Sequence, residues 1–368
     1  MQIDFHYYAT YCAAYIAGYT HEESLSIAYS AQFVDLCSKT LLKEINAPLE
    51  AATTQLQMEL MQSKTDIFSL QEITRIWSSF HFLPVDLYAK KKWKTKRYLR
   101  KYRMICGPNG DLLVDTINLA KKGTLQSVGI AMHVLADTWA HANFAGTPSL
   151  VINNTNYDFF EIIKDEEGFK ERKIEFKHNA TMQDDIDKCI YINCIYSSNE
   201  NSIMNLGHGR AGHLPDYSFI KYRYMPAWMD YKLLIKDNPT DYFKAFTQMV
   251  YAMKYIRGEY ETFEKNTFDL LSVKQYEDRI MGILEKRQLN ACEDWKKFGE
   301  ELSGQKIDDF DLNKYLDEYK KASADIKDES YIGKFLMGAI AQKNMVTNSI
   351  IASGNFLAGF SKMGSNSK

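Results

Sequence analysis

Three residues of types that bind metal ions recur at every fourth position of one segment: His133, Asp137 and His141. On an α-helix with 3.6 residues per turn, this spacing places their side chains along one stripe. A rise of about 1.5 Å per residue puts Asp137 roughly 6 Å along the axis from each histidine, so its carboxylate can bridge two ions. The stripe therefore predicts a centre with more than one metal ion.

The residues between these three are mainly valine, leucine, alanine and tryptophan, which is too apolar for a solvent-exposed helix face. The simpler alternatives are a solvated polar face, or buried histidines that hydrogen-bond to Asp137 alone. Burying three such side chains without a cation is costly. We therefore favour the metal centre.

A second cluster lies in the segment GHGRAGHLPD at 207–216, whose three glycines and one proline predict a loop. Small residues let the backbone approach an ion closely, and Asp216 with either His208 or His213 would supply ligands. Loops of this composition are also often plain turns. The choice between the two histidines stays open at this point.

Weaker candidates lie towards the amino terminus. Asp4 and His6 are two residues apart, which places both side chains on one face of an extended segment. Asp35 and His81 lie near the ends of predicted helices, and spacing alone does not distinguish them from ordinary helix-end residues.

The composition favours a mainly α protein, because 24 tyrosines and 20 phenylalanines accompany only 19 glycines and 7 prolines among 368 residues. Thr20 and Glu23 predict a capping box at the start of an early helix. Helices are also expected over about 125–144 and beyond about 236, with a few short strands near 150–200. We expect a metal-binding catalytic domain at 1–235 and a helical C-terminal region at 236–368, which could cover the site, bind membrane or carry a secretion signal.

The charge balance gives no indication of a nucleic-acid-binding protein, since the net charge is −2. The six cysteines are scattered without a Cys-x-x-Cys pair and are expected to be buried, reduced thiols. The first residues lack the pattern of a cleaved signal peptide, and no apolar run is long enough to span a membrane. We expect a cytoplasmic protein, or one exported by a route that needs no cleaved signal.

A basic segment at 90–103 contains nine lysines and arginines and no acid. A solvated lysine-rich helix is the simplest interpretation, and binding of lipid phosphates or of a nucleic-acid backbone are the functional ones. A tryptophan between lysines favours the lipid interface of these two. The candidate membrane-binding residues are Lys90, Lys91, Lys92, Trp93 and Lys94.

Other hydrolytic chemistries lack their motifs: the chain has no G-x-S-x-G elbow, no phosphate-binding glycine loop and no Glu-x-x-His pair. The segments IDFHYYATY, SIAYSAQFVD, TRIWSSFHFLP, ICGPNGDLLVDT, HVLADTWAHANFAGTPSLVINN and GHGRAGHLPD together resemble bacterial zinc metallophospholipases C of the Pseudomonas fluorescens type. The resemblance covers most of residues 1–230. This bacterial group looks distantly related to the secreted zinc phospholipases C and the fungal single-strand nucleases, which are all-helical proteins with three zinc ions.

The resemblance implies a multi-helix zinc phospholipase C-like core with three zinc ions. Its ligands would include His133, Asp137 and His141, although the gap of four residues before His141 is shorter than in the secreted enzymes. A histidine of the 207–216 segment with Asp216 would supply the next ligands.

By their order along the chain, Asp35 and His81 correspond to the family's upstream ligands, and Asp35 is the expected general base. The secreted enzymes also use the amino group of an N-terminal tryptophan. This chain begins with Met1, so the resemblance predicts no amino-terminal ligand here. Asp4, beside His6, is expected to supply an oxygen ligand instead.

The implied activity is attack of a zinc-activated water on the phosphorus of a glycerophospholipid such as phosphatidylcholine, which releases diacylglycerol and a phosphorylated headgroup. The expected partner is a phospholipid surface. A nuclease or nucleotidase with the same cluster, or a non-catalytic effector stabilised by metal, are the alternatives.

Overall fold

The computed structural model describes residues 1–56, 59, 67–147, 149–155, 158–165, 168–177, 182–193, 207–355 and 357. Helices predominate among them, as the composition predicts, and the strands lie between Phe160 and Asp237. No helix within these ranges is long and apolar enough to cross a membrane.

The first half of the described chain is helical. A π-helical turn at Asp4–Ala9 leads directly into the first α-helix. The helices are α1 (Thr10–Ile16), α2 (His21–Phe33), α3 (Lys39–Glu44), α4 (Ile67–Phe80), α5 (Lys96–Tyr102), α6 (Asp111–Lys121), α7 (Leu125–Ala140) and α8 (Leu150–Asn153).

Helices return after the strands. Short 3₁₀ turns lie at Leu49–Ala51, Leu214–Asp216, Ala227–Met229, Lys274–Tyr276 and Lys327–Glu329. The later helices are α9 (Gly207–Ala211), α10 (Asn238–Ile256), α11 (Leu270–Val273), α12 (Glu277–Glu285), α13 (Cys292–Ser303), α14 (Leu316–Lys321) and α15 (Tyr331–Ala352). The 207–216 segment is therefore helical in two short pieces, and the prediction of a loop there is wrong.

Helix α7 is the centre of the fold. It is buried on every side, as expected for a helix without a polar face. Helices α2, α4, α6, α10 and α15 all pack against it. The predicted capping box begins α2: the Thr20 hydroxyl accepts a hydrogen bond from the Glu23 amide, and the Glu23 carboxylate accepts one from the Thr20 amide.

The strands form two small sheets beside this helical body. An antiparallel sheet has the order β2-β1-β5-β6, with β1 at Phe160–Asp165, β2 at Gly168–Lys173, β5 at Lys221–Tyr224 and β6 at Leu234–Asp237. Strands β3 (Glu175–Lys177) and β4 (Ile190–Ile192) pair in parallel. The strands expected near 150–200 are present, whereas β5 and β6 lie outside the predicted range and Leu150–Asn153 is helical.

The C-terminal region shares the main hydrophobic core with the N-terminal helices. The Phe5 ring packs edge-on against Tyr242 and Trp295, with ring centroids 5.0 Å and 6.1 Å away. In α15, Gln342 donates a hydrogen bond to the Ser79 carbonyl and Lys343 donates one to the Ala52 carbonyl. Residues beyond 236 therefore support the segments near His81, and a domain boundary near 235 stays a prediction.

Free thiols are found at the five described cysteines. Four of them are buried, as expected from their scattered positions, and Cys292 is half-buried. Cys194 lies outside the described residues.

The close approach of α2 to α7 depends on Gly129. A Cβ atom there would lie 2.4 Å from the Ile27 carbonyl oxygen and 2.5 Å from the Ser30 Cβ. Real Cβ atoms do not come so close, so the two helices would have to separate.

We expect Gly129→Ala to lower the free energy of unfolding by about 1–3 kcal/mol, the usual range for overpacking. Gly282, in the exposed part of α12, has no atom within 4 Å of an added Cβ. Gly282→Ala should therefore stabilise the protein by roughly 0.5–1 kcal/mol, because alanine restricts the unfolded chain. Urea unfolding measures both, and equal midpoints for the two variants would contradict the packing argument.

Candidate metal centre

The carboxylate of Asp137 is the hub of the centre. It is buried in α7, and four histidine rings surround it. Its Oδ2 atom lies 3.2 Å from His81 Nδ1 and 3.2 Å from His133 Nε2. Its Oδ1 atom lies 3.2 Å from His6 Nε2. One carboxylate therefore faces two sets of possible metal ligands.

The first set, called here the Asp35 group, consists of Asp35, His81, His133 and Asp137. The Asp35 Oδ1 atom lies 3.8 Å from His81 Nδ1 and 3.9 Å from His133 Nε2, and these two nitrogens are 3.3 Å apart. With zinc–ligand bonds of about 2.0–2.1 Å, the ligands of a tetrahedral zinc ion are about 3.3 Å from one another. His81, His133 and Asp137 therefore have the separations that ligands of one tetrahedral zinc ion need, and Asp35 lies slightly farther from both histidines.

Backbone carbonyls fix which ring nitrogens face the centre. His133 Nδ1 donates to the Ala31 carbonyl at 2.8 Å, and His81 Nε2 donates to the Thr53 carbonyl at 3.0 Å. A carbonyl only accepts, so the opposite nitrogen of each neutral ring carries a lone pair. These two lone pairs point at each other across 3.3 Å, an arrangement that requires a proton or a metal ion between them.

The second set, the His6 group, consists of His6, His133 and Asp137. The His6 ring stacks on that of His133, with centroids 3.8 Å apart. Both His6 ring nitrogens are buried and make no hydrogen bond with a described residue. Burial, with the neighbouring His133, lowers the pKa of His6 to about 4, which leaves this ring neutral and able to bind an ion.

The third set, the His208 group, consists of His141, His208 and Asp216. His141 Nδ1 donates to the His81 carbonyl at 2.7 Å, which leaves Nε2 facing Asp216 Oδ1 at 3.1 Å. His208 Nε2 lies 3.3 Å from Asp216. The three sets adjoin one another, since Asp137 is 3.5 Å from His141 Nδ1.

The α-amino group of Met1 lies where two of these sets meet. Its nitrogen is buried, 3.0 Å from Asp137 Oδ1, 3.2 Å from Asp216 Oδ1 and 3.4 Å from His141 Nε2. Although burial alone would lower its pKa, the Asp137 and Asp216 carboxylates raise it to about 11. The resemblance to zinc phospholipases C predicts no amino-terminal nitrogen in the centre. The structure places one there, so that prediction is wrong.

Asp4 does not lie in the centre. Its two carboxylate oxygens accept hydrogen bonds from the Phe5 amide at 2.8 Å and the Ala291 amide at 3.2 Å. The predicted pairing with His6 assumed an extended segment, whereas both residues are in a π-helical turn that sends their side chains in different directions. Asp4 instead joins the N-terminal turn to the C-terminal region.

The position of His141 differs from the predicted stripe. Helix α7 ends at Ala140, and His141 caps it with φ of −90° and ψ of 13°. His133 and Asp137 remain on the helix. Because the His141 nitrogen that is free for an ion faces Asp216, this residue belongs to the third set rather than to a pair bridged by Asp137.

The two histidines of the 207–216 segment have different surroundings. His208 lies in the third set, whereas His213 donates from Nδ1 to Asp184 at 3.0 Å and has a side chain 52% exposed. Asp184 also accepts from the Tyr217 hydroxyl at 2.6 Å. The structure thus places His208, not His213, with the other candidate ligands.

Histidines and the Met1 amino group keep the central carboxylates ionised. Burial favours the neutral acid, but His141 and the amino group hold the pKa of Asp137 well below its usual value. His208 and the amino group do the same for the pKa of Asp216. Several buried negative charges at one point are stable only beside positive charge, so the centre is suited to cations.

The basic segment at 90–103 is not part of the centre. Lys91 and Lys94 pair with Asp230, at 3.3 Å and 2.8 Å, while Lys90, Lys92 and Trp93 are exposed. Residues Lys96–Tyr102 form the solvated helix α5. The membrane-binding assignment of Lys90, Lys91, Lys92, Trp93 and Lys94 stays a prediction.

Sequence reasoning missed four groups that hold residues of the site in place or lie within it. Asp184, which holds His213, is one of many aspartates with no distinctive spacing. The backbone carbonyls of Ala31 and Thr53 cannot be recognised from residue type as hydrogen-bond partners of the histidines. Of these groups, only the Met1 amino group could have been suspected, because it is close along the chain to the candidate ligand His6.

Fold and site together define a helical protein with a candidate multinuclear centre of histidines and carboxylates. Residues 1–350 match the family described as "Family of unknown function (DUF6765)", and the chain belongs to that family. No curated protein shows a significant match. No solved structure does so either.

The two histidines of one segment provide a matched test of the centre. We expect His208→Ala to lower the zinc bound per chain by about one ion, because the third set loses one of its three ligands. His213→Ala should leave the zinc content unchanged, since His213 contacts Asp184 instead. Elemental analysis of zinc-loaded, gel-filtered protein measures both, and equal losses in the two variants would contradict this assignment.

Proposed function

We propose that this protein is a zinc-dependent phosphodiesterase of the phospholipase C type, which hydrolyses glycerophospholipids such as phosphatidylcholine. The supporting observation is the Asp35 group, in which His81, His133 and Asp137 have the separations of tetrahedral zinc ligands and Asp35 lies 3.8 Å and 3.9 Å from the two histidines. Two adjoining sets share residues with this group or contact it. The order of the ligands along the chain also agrees with the resemblance to zinc phospholipases C.

The donor atoms favour a transition metal over magnesium and calcium. Imidazole nitrogens outnumber carboxylate oxygens in the three sets, and no described thiol or thioether is among them. Imidazole with carboxylate suits zinc and other transition metals, while magnesium and calcium prefer oxygen ligands alone. We propose zinc because of the resemblance to zinc phospholipases C, with His133 Nε2, which has one lone pair, as a ligand of one ion only.

Substrate would reach the centre from the side of Asp35. The Asp35 side chain is 30% exposed, whereas that of Asp137 is 1% exposed. The His208 and Asp216 side chains are also partly open to solvent. A phosphodiester that approached this side would meet the exposed carboxylate first.

Asp35 is the proposed general base. It follows the end of α2 at Phe33, its Oδ1 and Oδ2 atoms lie 3.8 Å from His81 Nδ1 and 4.0 Å from His6 Nε2, and its side chain is 30% exposed to water. A carboxylate in this position can accept the proton of an attacking water molecule. Bound zinc ions would lower the pKa of that water and neutralise charge on the phosphoryl oxygens.

The remaining groups hold the metal-binding side chains in position. The carbonyls of Ala31, Thr53 and His81 hold three imidazole rings in fixed tautomers. Asp137 keeps its negative charge between the sets, so the ligands need little rearrangement when an ion or substrate binds. Preorganisation of this kind is a large part of catalysis by charged sites.

We expect zinc-loaded protein to release phosphocholine from phosphatidylcholine vesicles and to lose this activity with a chelator. Asp35→Asn should reduce the rate by about 10²–10⁴, because it removes the base. Asp278→Asn, at an exposed position of α12, is the matched control and should retain full activity.

Single-stranded DNA in parallel assays distinguishes the nuclease alternative. Cleavage of DNA without lipid hydrolysis would contradict the proposed substrate. Failure of the zinc-loaded protein to hydrolyse either substrate would contradict an enzymatic function and favour the non-catalytic alternative.

A further inference from the structure

Trp93 is exposed to an unusual degree. Its side chain is 99% exposed, and its backbone has φ of 61°, a left-handed conformation that bulky residues rarely adopt. An indole ring gains nothing from full contact with water. The local backbone therefore presents the ring outwards at a conformational cost, which points to a partner for it.

The loop around Trp93 is fastened to a second segment of the chain. Lys91 and Lys94, on either side of Trp93, both pair with the Asp230 carboxylate. Lys91 also donates to the Trp228 carbonyl. Trp93 thus lies beside the turn at residues 227–231, although more than 130 residues separate them in sequence.

That second segment continues into exposed apolar residues. Tyr231, Leu233 and Ile235 alternate along the chain leading into and through the edge strand β6, and their side chains are 44%, 49% and 54% exposed. Leu234 and Lys236, at the intervening positions, turn inwards, and Lys236 donates to the Trp139 carbonyl. Because side chains alternate along a strand, Ile235 and Leu233, directly before the strand, share the outer face, and Tyr231 lies in the turn that precedes them.

Trp93, Tyr231, Leu233 and Ile235 together are called here the docking face. Exposed lysines accompany it, namely Lys90 and Lys92 beside Trp93 and Lys232 between the apolar residues. The two acids of these segments are already paired, Asp230 with two lysines and Asp237 with Lys221. An apolar face with unpaired positive charge is complementary to the headgroups and upper acyl chains of an anionic lipid surface.

The chain next to the docking face packs against residues that closely follow the candidate metal ligand His141. Trp228 Nε1 donates to the Asn143 carbonyl at 3.0 Å, two residues after His141. Tyr224, at the end of β5, stacks on Phe144 with centroids 5.6 Å apart. A surface bound at this face is therefore linked to the His208 group by a short run of packed residues.

We propose that the docking face binds the surface of phospholipid membranes that contain anionic lipids, with Trp93 inserted at the interface. This inference rests on the proposed phospholipase function and assigns to it residues that deliver the enzyme to aggregated substrate. A single-stranded nucleic acid would stack on the two aromatic rings but would leave Leu233 and Ile235 without a role.

The test is co-sedimentation with vesicles of phosphatidylcholine alone or of phosphatidylcholine with phosphatidylserine, whose negative surface potential attracts lysines. All variants carry Asp35→Asn so that lipid stays intact. We expect Trp93→Ala and the Leu233→Ser/Ile235→Ser pair each to weaken binding on the order of tenfold. Lys90→Gln/Lys92→Gln should weaken binding to anionic vesicles by roughly fivefold per lysine and matter little without phosphatidylserine.

Leu271 is the matched control, since its side chain is 86% exposed in α11 and lies outside the docking face. Leu271→Ser should bind as the parent protein does. Absence of vesicle binding, or equal binding by the Trp93→Ala and Leu271→Ser variants, would overturn the proposal. Self-association that Leu233→Ser/Ile235→Ser abolishes, seen by sedimentation without vesicles, would also overturn it and identify the face as an interface between copies.

Headgroup release from a water-soluble phosphocholine ester, measured without Asp35→Asn, separates the two proposals. Retained activity on this ester with reduced activity on vesicles in the docking-face variants supports both proposals. Vesicle binding that depends on the docking face, with no hydrolysis of ester or vesicle, supports docking and contradicts the phospholipase function.

Discussion

A buried, ionised carboxylate determines much of this structure. Asp137 lies in a helix that is enclosed on all sides, where a lone negative charge would be strongly destabilising. The amino group of Met1 supplies positive charge beside it, and four histidine rings that the chain brings from distant segments surround it. The packing of α2 and α15, and the turn that begins at Asp4, follow from this requirement, because each holds or supports a segment that reaches the carboxylate.

Much of this arrangement could be predicted from the sequence, because it depends on periodicity and residue type. The apolar surroundings of His133 and Asp137 indicate a buried helix, and Thr20 with Glu23 marks the start of α2. The family resemblance, rather than spacing, selected Asp35 and His81, and the structure brings His81 beside Asp137 and Asp35 beside His81. Short strands at β1 and β3 follow from local β-propensity.

The rest depends on contacts between distant residues, which one sequence does not encode locally. Strand β6 buries Lys236 through bonds to Trp139 and Asp241 while its neighbour Ile235 is exposed, which is opposite to the usual placement of these residue types. His208 and His213 are equivalent in type and differ only because Asp184 holds one of them. The misassigned Asp4 likewise reflects a π-helical turn, a rare conformation with no simple sequence signal.

The wide separation of the ligands along the chain has a thermodynamic consequence. Residues from His6 to Asp216 meet only in the native state, so the unfolded chain contains no preformed site of this composition. An ion that binds the native state alone adds its binding free energy to the stability of the fold, about 1.4 kcal/mol for each tenfold excess over its dissociation constant. Metal supply and folding are then linked equilibria, and the abundance of folded protein would follow the free concentration of the ion.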